Sequence, residues 1–106
     1  MDKKPLKYIS TRGHSKKLDF KDVIFEGLAP DGGLYIPEEW PKISNSLLST
    51  FPKKIYQEIA YDVISMYTDN SINNDELQNI INLSYKNFES TNITPLTKIS
   101  DKEYLL

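Results

Sequence analysis

Two apolar stripes with helical spacing, separated by a short polar break, constrain the fold of this chain more than any other feature. The first stripe consists of Ile55, Ile59, Val63, Met66 and Tyr67. The second follows a cap-like pair, Asn73 and Glu76, and consists of Leu77, Ile80, Ile81, Ser84, Tyr85 and Phe88. Because residues at this spacing share one face of an α-helix, the pattern predicts two long amphipathic helices.

The part of the chain before these helices alternates between strand and helix signals. A β-prone run at residues 7–11 predicts a first strand. Asp19 can cap a helix that extends to about Ala29, because its carboxylate can accept from the first free backbone N–H groups. Residues 34–36 predict a second strand, which Pro37 is expected to end because proline lacks an N–H donor.

The last residues again favour extended structure. A polar linker at residues 89–92 precedes an extended segment at 93–99, and a polar turn at 100–103 leads to apolar residues 104–106. The order of elements is therefore β, α, β, α, α, β. It predicts an α+β fold: a single domain over residues 1–106 in which a small sheet of short strands is packed by three main helices.

A turn motif joins the first helix to the second strand. Pro30 fixes φ, and Gly32 and Gly33 can adopt positive φ, so Asp31-Gly32-Gly33 predicts a type II or type I′ turn. A phosphate-binding loop is not indicated, because no lysine and hydroxyl residue follow the glycines as that motif requires.

Composition excludes several classes of function. With 39% hydrophobic and 26% charged residues the chain has the balance of a globular protein, and its net charge of −2 does not favour nucleic acid as a partner. Cysteine is absent and His14 is the only histidine, so no metal site is predicted. No apolar segment suggests export or a membrane span, and we expect a cytoplasmic protein without a membrane partner.

Arg12 is the best candidate for ligand recognition that the residues themselves offer. It lies beside Gly13 at the predicted end of the first strand, where a guanidinium can hold a carboxylate or phosphate through two hydrogen bonds. A structural salt bridge or simple exposure to solvent explains Arg12 equally well. The two interpretations remain open.

Two segments carry a resemblance to a known family. They are Tyr8-Ile9-Ser10-Thr11-Arg12-Gly13 and Glu26-Gly27-Leu28-Ala29-Pro30-Asp31-Gly32-Gly33-Leu34-Tyr35-Ile36-Pro37. With them, the chain resembles the amino-terminal domain of threonine synthases over nearly its whole length. Some branches of that family lack the Ser-Thr-Arg-Gly segment, which argues against an indispensable chemical role for Arg12.

The resemblance implies a function in threonine biosynthesis. Family members convert O-phospho-L-homoserine and water to L-threonine and phosphate with pyridoxal phosphate, a lyase reaction carried by a separate catalytic domain. The implied partner of residues 1–106 is that catalytic domain, which is absent from this chain. Arg12 and Gly13 are the candidates for the substrate entrance.

The family's lysine motif, Gly-Pro-Thr followed by Phe-Lys-Asp, does not occur in these 106 residues. We therefore assign no catalytic residue and no cofactor-binding residue, and we expect the chain to be truncated and inactive alone. Pyridoxal phosphate is expected only in the full-length enzyme. The alternatives are a stand-alone interaction module, which includes self-association through an exposed apolar face, and a decayed remnant without activity.

Overall fold

The computed structural model describes residues 4–88 and 92–106, and within them the fold consists of helices joined to short strands. In chain order the elements are β1 (Tyr8–Ser10), α1 (Phe20–Glu26), β2 (Tyr35–Pro37), α2 (Asn45–Leu48), a 3-10 turn (Phe51–Lys53), α3 (Tyr56–Thr68), α4 (Asn74–Tyr85), β3 (Thr97–Ser100) and β4 (Glu103–Leu105). The predicted α+β class is confirmed. The strands form two antiparallel pairs, β1 with β2 and β3 with β4, rather than one sheet.

Helices α3 and α4 pack against each other, as the two apolar stripes predict. Leu77 and Ile81 of α4 are each only 4% exposed, and the rings of Tyr56 and Tyr85 meet edge to face with their centroids 5.0 Å apart. The buried stripe is narrower than expected, since Ile80 remains half exposed. A helix with one main neighbour buries only the arc that faces it.

Helix α1 begins where the sequence predicts and ends earlier. The Asp19 carboxylate accepts from the backbone N–H of Asp22 at 3.0 Å, which is the predicted N-cap. The helix stops at Glu26 instead of Ala29, because Gly27 adopts a φ of 73° and breaks the helical geometry. At its first residue, Phe20 packs against the ring of Tyr8, with centroids 6.1 Å apart.

The strand β2 ends at Pro37, as expected, and Pro37 itself belongs to the strand. It is buried and is the last residue of the strand, opposite Tyr8. The N–H and C=O of Tyr8 both bond to Leu18, at 2.8 and 3.1 Å, and therefore point away from β2. Position 37 consequently needs no N–H donor, and the ladder continues beyond it with the N–H of Glu38 donating to the Lys7 carbonyl.

The second strand pair is a hairpin at the end of the chain. Thr97 lies opposite Leu105 and Ser100 opposite Glu103, with an irregularity in register between Lys98 and Ser100. The predicted extended segment at 93–99 is thus partly confirmed, beginning as a strand at Thr97. The predicted linker falls largely on residues 89–91, which lie outside the described residues.

Candidate functional site

The carboxylate of Asp31 connects the end of β1 to the turn that precedes β2. Its Oδ1 accepts from the Ser10 hydroxyl at 2.7 Å and from the Gly33 backbone N–H at 2.9 Å. Its Oδ2 accepts from the His14 backbone N–H at 3.0 Å. We call this group, residues 10–14 together with residues 29–34, the Asp31 hub. It joins the two segments that carry the family resemblance.

The turn in this hub has a different geometry from the predicted one. The N–H of Gly32 donates to the Ala29 carbonyl at 2.9 Å, which places Pro30 and Asp31 at the two central positions. A type II or type I′ turn needs positive φ at the second central residue, and Asp31 does not have it. The predicted turn type is therefore wrong. Positive φ occurs one residue later, at Gly32, where φ is 85°.

Position 33 requires glycine because any side chain there would clash with its neighbours, and not because of the φ angle. A Cβ atom at this position would lie 2.3 Å from the Ser10 Oγ, 2.9 Å from the Thr11 Oγ1 and 3.0 Å from the Asp31 Oδ1. These separations are well below van der Waals contact. The absence of a side chain at Gly33 allows the Asp31 carboxylate and the Ser10 hydroxyl to meet.

Thr11 adds a second connection between the two segments. Its N–H donates to the Leu34 carbonyl at 2.8 Å, and its Oγ1 accepts from the Leu34 N–H at 3.0 Å. The side-chain oxygen thus continues the β1–β2 ladder past the last strand pair. Backbone groups that would otherwise need water are satisfied within the hub.

Arg12 and Gly13, the predicted entrance candidates, lie on the exposed side of the hub. The Arg12 Nη1 donates to the Asp31 carbonyl at 3.1 Å, and its guanidinium forms no ion pair with a carboxylate of residues 4–88 or 92–106. Gly13 has a φ of 76° and donates to the Ser10 carbonyl. Of the alternatives left open for Arg12, a salt bridge is therefore not formed within these residues, and exposure to solvent is observed. The recognition role of Arg12 stays a prediction.

The hydrogen bonds of the hub lower the pKa of the Asp31 carboxyl to about 2. The Ser10 hydroxyl contributes most, and the N–H groups of Gly33 and His14 act in the same direction, against the opposing effect of partial burial. Asp31 is therefore an anion at neutral pH. Its charge holds donors from both segments.

This pKa gives the fold a specific acid sensitivity. Because the pKa of Asp31 lies below its ordinary value of 3.8, its ionisation stabilises the folded state above about pH 4, and the contribution is lost as the pH falls towards 2. We expect the melting temperature of the wild type to fall more steeply over this interval than that of Asp31→Asn, which is already lower at pH 7. Asp19 and Glu38, whose pKa values are also lowered, titrate in both proteins. If the melting temperatures of the two proteins fall equally with pH in thermal melts, this role of the hub is contradicted.

The described residues do not form a site that suits pyridoxal phosphate. Lys54 is the one partly buried lysine among residues 4–88 and 92–106, the others being exposed, and its amine is paired with the carboxylate of Asp62. The adjoining groove, about 450 Å³ in volume, also contains Glu58, whose charge would repel a phosphate group. A covalent anchor and a phosphate pocket are therefore not combined in this part of the chain.

The described residues also contain neither a cluster of metal-binding side chains nor a membrane-spanning helix. No group of three histidine, aspartate or glutamate side chains within residues 4–88 and 92–106 is arranged to hold a metal ion. In those ranges, no helix has the length and apolar character needed to cross a lipid bilayer.

The sequence anticipated the two halves of the hub but not their contact. Ser10 and Asp31 were not candidates, because an isolated serine and an aspartate in a turn have many ordinary roles. The hydrogen bond between Ser10 and Asp31 joins residues that are 21 positions apart in the sequence. The available signal was that both segments carry the same family resemblance, which is consistent with their contact in space.

Known proteins similar to this chain agree on one family. The sequence profile described as threonine synthase N terminus matches residues 7–85. The threonine synthase of Methylobacillus glycogenes is 38% identical over 110 residues, which covers 95% of this chain and 23% of that protein. The threonine synthase of Schizosaccharomyces pombe is 38% identical over 95 residues, with 89% and 18% covered.

Solved structures show the same relation. A PLP-bound threonine synthase from Brucella melitensis superimposes with a TM-score of 0.85 at 32% identity, covering 94% of this chain and 22% of that one. The yeast threonine synthase gives 0.79 at 35% identity, with 92% and 20% covered. The chain spans about a fifth of the length of the relatives it matches. It belongs to the threonine synthase amino-terminal domain family.

Proposed function

We propose that this chain serves as the amino-terminal domain of a threonine synthase, an enzyme that forms L-threonine and phosphate from O-phospho-L-homoserine and water. In this role it supplies a packing surface and not the catalytic groups. The observation that supports the proposal most directly is the match of residues 7–85 to the family profile, which includes every residue of the Asp31 hub. Pyridoxal phosphate belongs to the catalytic domain in this scheme.

An apolar patch beside the hub supports a packing role. Its members, Ile24, Phe25, Leu28 and Leu34, are between 56% and 81% exposed. They belong to the end of α1 and to the two sides of the turn, which the Ala29 N–H to Gly33 carbonyl bond holds together. We call them the α1 patch. Side chains of this size, exposed together, mark a surface that another protein segment covers.

The position of Arg12 fits a place at the rim of this contact. Its backbone and one guanidinium nitrogen are held by the hub, while the side chain as a whole is exposed. An exposed guanidinium can attract a substrate that carries a phosphate and a carboxylate. With Gly13 next to it, Arg12 forms the proposed border of the substrate entrance.

Fusion to a catalytic domain tests the proposed function. We define the fusion as this chain followed by the part of the Methylobacillus glycogenes threonine synthase that lies beyond the matched segment. We expect the fusion to release phosphate from O-phospho-L-homoserine and to form threonine, and the chain alone to form none. Phosphate release and chromatography of threonine measure both. An inactive but folded and cofactor-loaded fusion would argue against the proposal.

A variant of the α1 patch shows whether packing through this surface matters. Phe25→Asp in the fusion is expected to lower the activity by at least about 10-fold, since a buried charge without a partner costs several kcal/mol. Ser46→Asp places the same charge on the exposed first turn of α2 and serves as the control. Equal activities of the two variants would exclude the α1 patch as the packing surface.

Self-association through the same patch is the second candidate. The exposure of the four apolar side chains favours it in the absence of a catalytic domain. In that case the wild-type chain sediments as a dimer, and Phe25→Asp returns it to a monomer. A wild-type monomer at all concentrations would exclude this candidate and leave the first intact.

A further inference from the structure

Asp31 and Gly32 form the only Asp-Gly or Asn-Gly dipeptide in the 106 residues of the chain. In such a dipeptide the backbone nitrogen that follows the acidic residue can attack the side-chain carboxyl carbon. Glycine at that position has no side chain to hinder the attack. The cyclic succinimide that results can reopen to isoaspartate. Asp31-Gly32 is therefore the position in this sequence where a spontaneous change of the backbone is chemically easiest.

The reaction balances without an oxidant or a second substrate other than water. The Gly32 nitrogen bonds to the Cγ of the protonated Asp31 carboxyl group, the bond from Cγ to the hydroxyl oxygen breaks, and that hydroxyl leaves with the amide hydrogen as water. Water then adds to one of the two ring carbonyls. Addition at the former backbone carbonyl leaves the chain running through Cγ, with an added methylene in the backbone and the carboxylate next to the α-carbon.

The Asp31 hub holds both reacting groups in other hydrogen bonds. The Gly32 N–H, which would have to attack, donates to the Ala29 carbonyl at 2.9 Å. The Asp31 Oδ1 accepts from the Ser10 hydroxyl at 2.7 Å, and its Oδ2 accepts from the His14 N–H at 3.0 Å. For the ring to close, the carboxyl group must leave these donors and the turn must release the Gly32 nitrogen.

The charge of the carboxylate works in the same direction. Departure of the hydroxyl as water requires the protonated acid, and the hydrogen bonds of the hub lower the pKa of the Asp31 carboxyl from 3.8 to about 2. The folded chain thus contains less of the reactive form at neutral pH than the unfolded chain does. The carboxylate accepts instead from the N–H of Gly33 at 2.9 Å, a nitrogen one residue too far along the chain to form the succinimide.

Isoaspartate at position 31 does not fit the hub. The Ser10 hydroxyl and the His14 N–H lose their common acceptor, because the carboxylate has moved to the α-carbon. The longer backbone also displaces Gly33, where even a single added Cβ would clash with the Ser10 Oγ. A chain that isomerises while the hub is open therefore cannot close it again in the same form.

We propose that Asp31-Gly32 is an isomerisation site that the folded hub keeps closed, that it reacts only when the hub opens, and that the isoaspartate formed then prevents the hub from re-forming. Opening of this domain is thereby converted into a permanent covalent mark. Because closing is far faster than ring formation, the rate in the native chain equals the rate in the open chain multiplied by the fraction that is open. The inference does not depend on the proposed function.

Incubation of the whole chain at neutral pH, with and without guanidinium chloride, gives the first test. Isoaspartate is counted by transfer of labelled methyl groups from S-adenosylmethionine by a protein isoaspartyl methyltransferase, and peptide mapping locates it. We expect isoaspartate at position 31 to accumulate at least about 100-fold more slowly in the folded chain than in the unfolded one. Equal rates in the two conditions would overturn the proposal.

Asp31→Glu is the matched control for the unfolded chain. Its side chain is longer by one methylene and cannot form the succinimide, so the labelled peptide that contains position 31 should disappear in guanidinium chloride. A label of wild-type size in the peptide from this variant would show that the modified residue is not Asp31.

Ser10→Ala tests whether the hub itself closes the site. Loss of a hydrogen bond to the carboxylate is expected to raise the rate in the native chain by about 10-fold or more and to leave the rate in guanidinium chloride unchanged. Thr50→Ala removes a hydroxyl that donates to the Leu47 carbonyl, away from the hub, and should change neither rate. An unchanged native rate in Ser10→Ala would contradict the closing role of the hub.

Refolding tests the last step of the proposal. Chains isomerised in guanidinium chloride are separated from unmodified chains by reversed-phase chromatography, and both fractions are returned to buffer. We expect the unmodified fraction to recover the melting temperature of the native chain and the isoaspartate fraction to melt at a lower temperature. If the isoaspartate fraction recovers the native melting temperature, isomerisation does not keep the hub open and the proposal is wrong.

Discussion

Gly33→Ala is expected to lower the free energy of unfolding by about 2–4 kcal/mol, from crowding together with broken hydrogen bonds. The new Cβ would lie 2.3 Å from the Ser10 Oγ, so the hydroxyl and the Asp31 carboxylate cannot keep their contact. The donors on Ser10 and His14 would then lose their common acceptor. Urea titration followed by far-ultraviolet circular dichroism measures the change.

Gly13→Ala is the matched control for this substitution. Gly13 has positive φ, at 76°, but no atom lies within 4 Å of the added Cβ. Its expected effect is therefore backbone strain alone, about 1–2 kcal/mol. If both variants lose the same stability, the close approach at Gly33 is not what holds the hub together.

Tyr8→Ala is expected to lower the free energy of unfolding by about 3–5 kcal/mol, the largest effect among these substitutions, because it removes a buried aromatic side chain. Tyr8 is 6% exposed and packs against Phe20. Its hydroxyl donates to the backbone carbonyl of Tyr67, which ties β1 to the end of α3. A chain of this size has a total stability of only about 5–15 kcal/mol, so the substitution would remove a large share of it.

Two further tyrosine variants separate the parts of this effect. Tyr8→Phe keeps the ring and loses the hydrogen bond, so we expect it to lower the free energy of unfolding by about 1 kcal/mol. Tyr104→Ala removes a ring that is 55% exposed in the hairpin and should change stability by less than about 0.5 kcal/mol. Chemical denaturation of the three variants ranks their losses in the free energy of unfolding. A loss in Tyr104→Ala as large as in Tyr8→Ala would mean that the hairpin belongs to the core.

The long helices could be predicted from the sequence because their signal is local and repeated. Leu77 and Ile81 are buried as their spacing predicts, and Asp19 caps α1 through its own short side chain. Such features depend on residues within one or two turns of each other. Local periodicity therefore suffices to place α1, α3 and α4 to within a few residues.

The features that the sequence did not reveal depend on long-range contacts. Pro37 is accepted within β2 because Tyr8 directs its backbone groups towards Leu18, a fact of sheet pairing. The sequence predicts a glycine selected for positive φ at position 33, whereas glycine is needed there because Ser10 lies so close. Such relations appear only when distant segments are brought together, so no local pattern records them.

The candidate site was predicted in part. The segments containing Arg12 and Asp31 were identified through the family resemblance, but the residue that organises them was not among the candidates. The sequence favours Arg12 because guanidinium groups commonly bind anions. Asp31, between Pro30 and Gly32, predicts only a turn. Asp31 organises the site because its carboxylate accepts hydrogen bonds from both segments. These bonds follow from the folded geometry alone.

The hydrogen bonds of the Asp31 hub close residues 10–34 into a ring whose two ends are fastened to each other. Helix α1 lies entirely inside this closed loop. A loop whose ends are joined by their own hydrogen bonds can be exchanged as one segment. Its ends keep the same separation in any relative that forms the same hydrogen bonds. Transplanting residues 10–34 as one block would therefore transfer the α1 surface between members of the family, as long as the recipient keeps the tyrosine that Leu18 and Phe20 contact at position 8.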